Sequence, residues 1–191
     1  MRKKETINIE DSIWMLSLKI FGSSLLGTAF CLLTQIFAAF LYGEGLWGAI
    51  VLQLFCLVLY CPIVYMAAWS LGARDRNYVL YGHMKEDKLR GVKIGLIAII
   101  PYFICALFLI LAKAGVFPDF LVLFRFIYCP FAVLLRAFLP DYLSDVTYWG
   151  ILFSALTQLV CPITTEIGYW LGYHEISLYQ KLIYQNRSVK K

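Results

Sequence analysis

The chain has 191 residues, of which 61% are hydrophobic and 15% are charged, and its mean hydropathy is +0.74. Soluble domains are about 45–50% apolar and about 25% charged, so this composition excludes an ordinary soluble protein and predicts a polytopic membrane protein. The net charge of +5 comes from basic residues that border apolar segments. That placement is typical of contact with anionic lipid headgroups and argues against nucleic-acid binding.

The apolar segments predict an all-α transmembrane bundle with four spanning helices. A helix rises 1.5 Å per residue, and about 20 apolar residues cross a bilayer. We expect the whole chain, residues 1–191, to form one integral membrane domain. The predicted spans, in chain order, are residues 14–43, 46–71, 94–112 and 149–171.

A charged connector, residues 73–93, separates the second span from the third and holds six basic and three acidic side chains. Short loops rich in Lys and Arg stay on the cytoplasmic side of a membrane. We therefore expect the connector and the N-terminus, with Arg2, Lys3 and Lys4, to be cytoplasmic in a plasma (inner) membrane. The connector side chains expected to contact an anion or a lipid headgroup are Arg74, Arg76, Lys88 and Arg90.

Residues 116–139 form an apolar segment that is broken by prolines and carries Arg125 and Arg136. If the segment is a re-entrant or interfacial hairpin broken at Pro130, both arginines reach the outer surface, where they could contact anions or headgroups. The alternative is a fifth spanning helix. Of 17 basic residues, four spans place 14 inside and three outside, whereas five spans place 11 inside and six outside. The sharper split favours four spans, and five spans remain the alternative.

The last span contains a carboxylate, Glu166, one turn after a proline. An intramembrane carboxylate is costly and often lies on an ion or solute path. We expect Glu166 to line a polar cavity together with Thr164, Thr165, Gln158 and Gln53. The structural alternative is that Glu166 pairs with a connector cation, and that the glutamines bridge helices.

Small residues four apart predict close helix packing at three places, since they let backbones approach. Two of these patterns, Gly91/Gly95 and Gly168/Gly172, would lie near the same membrane surface, and we expect them to pack together. The third pair is Ser23 and Gly27. A faint repeat joins Cys61-Pro62-Ile63 to Cys161-Pro162-Ile163, with Leu-Gly following each at the same spacing; chance similarity between apolar helices is the simpler interpretation.

No reaction-specific motif is present, and neither the six cysteines nor the two histidines have the spacing of a metal site. We therefore expect no cofactor and no metal. The composition favours a non-enzymatic membrane subunit of a transport system or a small transporter, in contact with the bilayer and with another subunit or a second copy. The alternatives are a scaffold that docks a cytoplasmic partner or anionic lipid through its basic connector and tail, and a membrane-embedded enzyme. The enzyme would use Asp75, His83, Glu86 and Asp87.

Overall fold

A computed structural model describes residues 12–38 and 45–175 of the protein. The N-terminal tail (residues 1–11), the end of the first predicted span (residues 39–43), Glu44 and the C-terminal tail (residues 176–191) lie outside the described residues. Within the described part of the chain there are eight α-helices and no strand. Their bounds are α1 Ile13–Phe37, α2 Gly45–Leu80, α3 Arg90–Ala98, α4 Ile100–Lys113, α5 Leu121–Ile127, α6 Ala132–Phe138, α7 Tyr148–Leu156 and α8 Val160–Tyr173.

Among the described residues, four helical stretches are long and apolar enough to cross a membrane: Ile13–Phe37, Trp47–Leu80, Arg90–Lys113 and Tyr148–Tyr173. This confirms the four predicted apolar helices. The third stretch joins α3 to α4 through Ile99, and the fourth joins α7 to α8 through a 3₁₀ turn at Thr157–Leu159. Large apolar side chains such as Leu18, Val58 and Met66 remain exposed on the outer surface of the bundle, as expected for side chains that face lipid.

The connector is shorter than predicted, because α2 continues through its first eight residues and ends only at Leu80. The non-helical part is residues 81–89. Two charged side chains of the connector, those of Asp75 and Arg90, are buried and not exposed to water.

The spanning helices alternate in direction. Gly27 and Cys31 of α1 contact Tyr60 and Cys56 of α2 in reverse order, so these two helices are antiparallel. In contrast, α8 runs parallel to α2, and α3 runs antiparallel to α8. The end of the bundle at which α2 finishes and α3 begins is called the connector end, and the opposite end is called the distal end.

The core between α1, α2 and α4 contains a buried hydroxyl network. Ser24 Oγ lies 2.8 Å from Tyr60 Oη and 2.6 Å from Tyr102 Oη. Tyr128 Oη donates to the Tyr102 carbonyl at 2.9 Å. Because each buried hydroxyl has a partner, the network costs little and fixes the relative positions of the three helices.

Residues 116–139 fold back on themselves. Arg125 on α5 donates to the carbonyls of Leu139 and Pro140, which follow α6, at 3.1 and 2.8 Å. In one straight helix, residues 14 apart would be separated by about 21 Å. The break is a 3₁₀ turn at Cys129–Phe131, and each flanking helix has seven residues, about 10 Å, which is too short to cross a membrane.

The tip of this broken segment is held by two glutamine amides. Gln35 Nε2 donates to the Cys129 carbonyl at 2.7 Å, and Gln53 Nε2 donates to the Pro130 carbonyl at 2.8 Å. Gln53 Oε1 also accepts from the Val133 N–H at 3.2 Å. Gln53 therefore bridges α2 to the broken segment, as the structural alternative expected.

The glycine patterns lie at helix contacts, but the two pairs do not pack together as predicted. Gly168 and Gly172 face the α2 backbone at Tyr65 and Trp69, whereas Gly91 and Gly95 face a different side of α8, around Glu166 and Pro162. A Cβ on Gly172 would overlap the Trp69 carbonyl. These glycines are therefore needed for the close approach of α2, α3 and α8.

The third small pair is confirmed in part. A Cβ on Gly27 would lie 2.9 Å from the Tyr60 ring, so Gly27 does admit α2. Ser23 instead donates its hydroxyl to the Lys19 carbonyl of its own helix. Ser24, its neighbour, is the residue that reaches α2 and α4.

Candidate functional site

A buried ion pair at the connector end joins three helices. The Asp75 side chain on α2 is 1% exposed, and its Oδ2 accepts from Arg90 Nε of α3 at 2.9 Å. The same oxygen accepts from Tyr169 Oη of α8 at 3.1 Å, and Oδ1 lies 3.5 Å from Arg74 Nη2. A buried charge is tolerated only when it is paired and hydrogen-bonded. Oδ2 meets both conditions, whereas Oδ1 is paired with Arg74 but has no hydrogen-bond partner among the described residues.

A cavity of about 240 Å³ lies beside this ion pair, between the connector and α8. The side chains from α8 share one face, because positions three, four and seven apart coincide on a helix. The glycine at position 91 leaves room for Glu166. The wall is formed by Glu86, Asp87, Lys88, Glu166, Tyr169, Trp170, Tyr173 and His174.

Glu166 supplies the most unusual polar group of this connector-end cavity. Its side chain is half-buried. The Val92 backbone N–H lies near the carboxyl group, but no donor among the described residues meets Oε2 with hydrogen-bond geometry. The residue lies seven positions before the end of α8, or about 10 Å along the helix. An ionised carboxylate in that position is stable only if a cation or a proton neutralises it.

Asp87 contributes a second carboxylate, which already has partners. Lys93 Nζ donates to Asp87 Oδ2 at 2.6 Å, and the Leu89 N–H donates to Oδ1 at 3.1 Å. The Lys93 hydrogen bond, followed by the Leu89 hydrogen bond and the charges of Lys93 and Arg90, lowers the pKa of Asp87 below its ordinary value. Asp87 therefore stays ionised at neutral pH.

Aromatic rings complete the wall of the cavity. Tyr169 and Tyr173 are stacked with centroids 6.5 Å apart, and Trp170 lies 4.5 Å from the His174 ring. Aromatic faces attract cations, with Trp the strongest. Three carboxylates and three aromatic rings against one lysine give the cavity a chemistry suited to a small organic cation.

The other residues predicted to share a cavity with Glu166 do not line this one. Thr164 and Thr165 donate their hydroxyls to backbone carbonyls one turn earlier on α8. Gln53 belongs to α2 and hydrogen-bonds the broken segment near the distal end. Gln158 is 1% exposed in the 3₁₀ turn before α8, and neither of its amide atoms has a hydrogen-bond partner within residues 12–38 and 45–175.

The predicted headgroup-contacting side chains of the connector are mostly turned inward or paired. Arg90 is 4% exposed and binds Asp75, Arg74 lies near Asp75 and over the Tyr78 ring, and Arg76 pairs with Glu175. Lys88 is exposed at the edge of the cavity. A basic docking surface on the connector is therefore smaller than its composition indicates.

The four residues of the enzymatic alternative are also not brought to one site. Asp75 is enclosed by its ion pair, whereas Glu86 and Asp87 line the cavity and His83 does not. No group of three His, Cys, Asp or Glu side chains with the geometry of a metal site occurs among the described residues.

Arg125 and Arg136 lie far from this site, on either side of the broken segment, and line a second cavity of about 250 Å³. Arg125 contacts Asp141 at 3.1 Å as well as the two carbonyls after α6.

Sequence reasoning identified Glu166 but missed the aromatic residues around it. The sequence does contain the relevant pattern, because Tyr169, Trp170 and Tyr173 follow Glu166 at the spacing that places side chains on one face of a helix. It missed Asp75 as a buried counter-ion, since a local pattern does not show which helices meet.

Comparison with protein-family models, with curated proteins and with solved structures found no match.

Proposed function

We propose that the protein is a non-enzymatic integral membrane protein that binds a small organic cation in the connector-end cavity. It acts as a small transporter or as the membrane subunit of a transport system. The observation that supports this proposal is the buried Oε2 of Glu166, which has no hydrogen-bond partner within residues 12–38 and 45–175, in a cavity walled by carboxylates and aromatic rings.

Glu166 Oε2 lacks a hydrogen-bond partner in the part of the chain that the structure describes. A buried carboxylate oxygen without a partner costs more than a neutral group in the same place. A quaternary ammonium or a protonated amine would neutralise Glu166, and its alkyl groups would lie against Tyr169, Trp170 and Tyr173. An anion would meet three carboxylates and is disfavoured.

The size of the cavity sets the class of ligand. Sites for drug-sized molecules occupy about 300–1,000 Å³, and this cavity holds about 240 Å³. A ligand of a few heavy atoms, such as choline or a short amine, fits that volume.

We further propose that the connector end is cytoplasmic, in a plasma (inner) membrane, and that residues 116–139 re-enter the membrane from the distal side. The basic residues of the connector support this orientation. The fold-back of α5 and α6 and the parallel course of α2 and α8 support four spans with both tails on the connector side.

The test is calorimetric titration of the purified protein in mild detergent with choline. The comparison ligand is its uncharged isostere, in which carbon replaces the ammonium nitrogen. We expect choline to bind at least about tenfold more tightly, since the positive charge is what Glu166 and the rings recognise.

Glu166→Gln should abolish this preference, because the amide keeps the shape of the side chain and removes its charge. The matched control is Asp145→Asn, which neutralises an exposed carboxylate outside the cavity and should bind choline normally. Equal binding of choline and its isostere, or unchanged choline binding by Glu166→Gln, would refute the proposal.

A further inference from the structure

The second cavity, of about 250 Å³, is called the distal cavity because it lies at the distal end. It combines positive charge with an apolar wall. Arg125 from α5 and Arg136 from α6 line it together with Gln35 of α1. The remaining wall includes Val122 and Phe126, which are 66% and 52% exposed. The described residues that line this cavity include two arginines and no acidic residue, so their charge is opposite to that of the connector-end cavity.

Arg125 is held in place by the backbone. Its Nη2 donates to the Leu139 and Pro140 carbonyls at 3.1 and 2.8 Å, and its Nη1 donates to Asp141 Oδ1 at 3.1 Å. The carbonyl contacts fix the planar guanidinium at the edge of the cavity. The Asp141 side chain is 87% exposed, so water competes for it and an anion could replace it.

The position of the cavity selects an amphiphile. The two arginines belong to the segment between the distal ends of α4 and α7, at the level where a spanning helix meets headgroups. Val122 and Phe126 lie beside them on an exposed surface of the bundle. Long arginine side chains at this level bind phosphate while apolar side chains next to them contact acyl chains.

We propose that the distal cavity binds the phosphate of an anionic glycerophospholipid through Arg125 and Arg136, with one acyl chain along Val122 and Phe126. The lipid ties α5 and α6 to the membrane on the side opposite the connector. This site does not depend on any ligand at the connector end.

The experiment is native mass spectrometry of the intact protein in mild detergent. Phosphatidylglycerol is titrated against phosphatidylcholine with the same acyl chains. We expect phosphatidylglycerol to bind about tenfold more tightly, because charge-assisted hydrogen bonds from arginine to phosphate are stronger without a competing positive headgroup.

Three variants identify the site. Arg136→Gln should remove the preference for phosphatidylglycerol. Lys113→Gln, which changes a basic residue that ends α4 near the Tyr148 ring, should retain it. Asp141→Asn should tighten phosphatidylglycerol binding, because it removes the carboxylate that competes for Arg125. If Arg125 had only a structural role, this variant would not increase the affinity.

Circular dichroism of each variant checks that the fold is retained. Equal binding of the two lipids, or an equal loss of binding in Arg136→Gln and Lys113→Gln, would overturn the proposal. Weaker or unchanged binding by Asp141→Asn would remove Arg125 from the site. Displacement of phosphatidylglycerol by millimolar inorganic phosphate alone would identify a soluble-anion site and contradict the lipid assignment.

Discussion

At the connector end of the bundle an arginine–aspartate pair lies buried between helices, whereas at the distal end such a pair lies on the surface. Both ends contain an arginine–aspartate pair of similar length: 2.9 Å for Arg90 and Asp75, and 3.1 Å for Arg125 and Asp141. The side chain of Asp75 is 1% exposed and that of Asp141 is 87% exposed. Because the two separations are nearly equal, we expect burial to decide how much each pair contributes to stability.

The two ends also differ in what holds their loops. At the connector end, Tyr169 and Arg90 reach one buried carboxylate and fix α3 against α2 and α8. At the distal end, the amides of Gln35 and Gln53 hold the tip of the broken segment through backbone hydrogen bonds. Charge therefore stabilises one end, and neutral amide groups stabilise the other.

The largest effect is expected for Asp75→Asn. Removing one partner of a buried ion pair costs about 3–5 kcal/mol, because Arg90 Nε and Tyr169 Oη lose the charged oxygen to which both donate. Asp141→Asn, the matched change in the exposed pair, should cost less than about 1 kcal/mol. The free energy of unfolding, measured by denaturant titration in mixed micelles, checks both values. Equal costs at the two ends would contradict the comparison.

An intermediate effect is expected for Gln53→Met, which keeps the length of the side chain and removes its hydrogen bonds. The Pro130 carbonyl and the Val133 N–H would be left unpaired, at a cost of about 1–3 kcal/mol. The broken segment should loosen, and the buried Cys129 at its tip should react faster with a maleimide. The measurement uses a background in which the other five cysteines are replaced. A reaction rate that equals that of the Gln53 parent would show that the amide does not hold the segment.

The smallest effect concerns pH at the exposed edge of the connector-end cavity. Because the pKa of Asp87 is lowered in the folded protein, its pairing with Lys93 is fully present above the ordinary Asp pKa of about 3.9. The pairing is lost only as the pH falls through the lowered value. Carboxyl NMR of Asp87 should give a midpoint below about 3.9, and Lys93→Met should raise it. Identical midpoints in the two proteins would exclude the Lys93 hydrogen bond as the cause.

Hydropathy predicted the four apolar helices, because length and composition alone determine whether a helix can cross a bilayer. It did not predict that α2 extends to Leu80, since residues 74–77 are all charged or polar and the contact of Asp75 with α8 forms only in the folded chain. The same limit applies to Asp75, Arg74 and Arg90. A charge-rich segment is expected to be solvated unless the partner helix is known.

The two Cys-Pro-Ile sequences show the limit most clearly. Pro62 lies within the continuous α2, whereas Pro162 follows a 3₁₀ turn that separates α7 from α8. Pro62 is exposed, while Pro162 is buried against Gly95 of α3. The three residues are identical in the two places, but their flanking residues and the helices packed around them differ.

For the candidate site, too, the sequence predicted a single residue but not the residues that surround it. Glu166 was identified because a carboxylate is rare in an apolar helix. The residues that give its cavity a chemical character come from the connector and from the next two turns of α8, and only the folded chain shows that they meet.

The most direct test of the central claim is modification of Glu166 by a hydrophobic carbodiimide, followed by mass spectrometry of the peptides. We expect Glu166 to be labelled in the protein alone and to be protected by choline, but not by its uncharged isostere. The exposed Asp145 should be labelled equally in all three samples. Labelling of Glu166 that choline leaves unchanged would contradict the account.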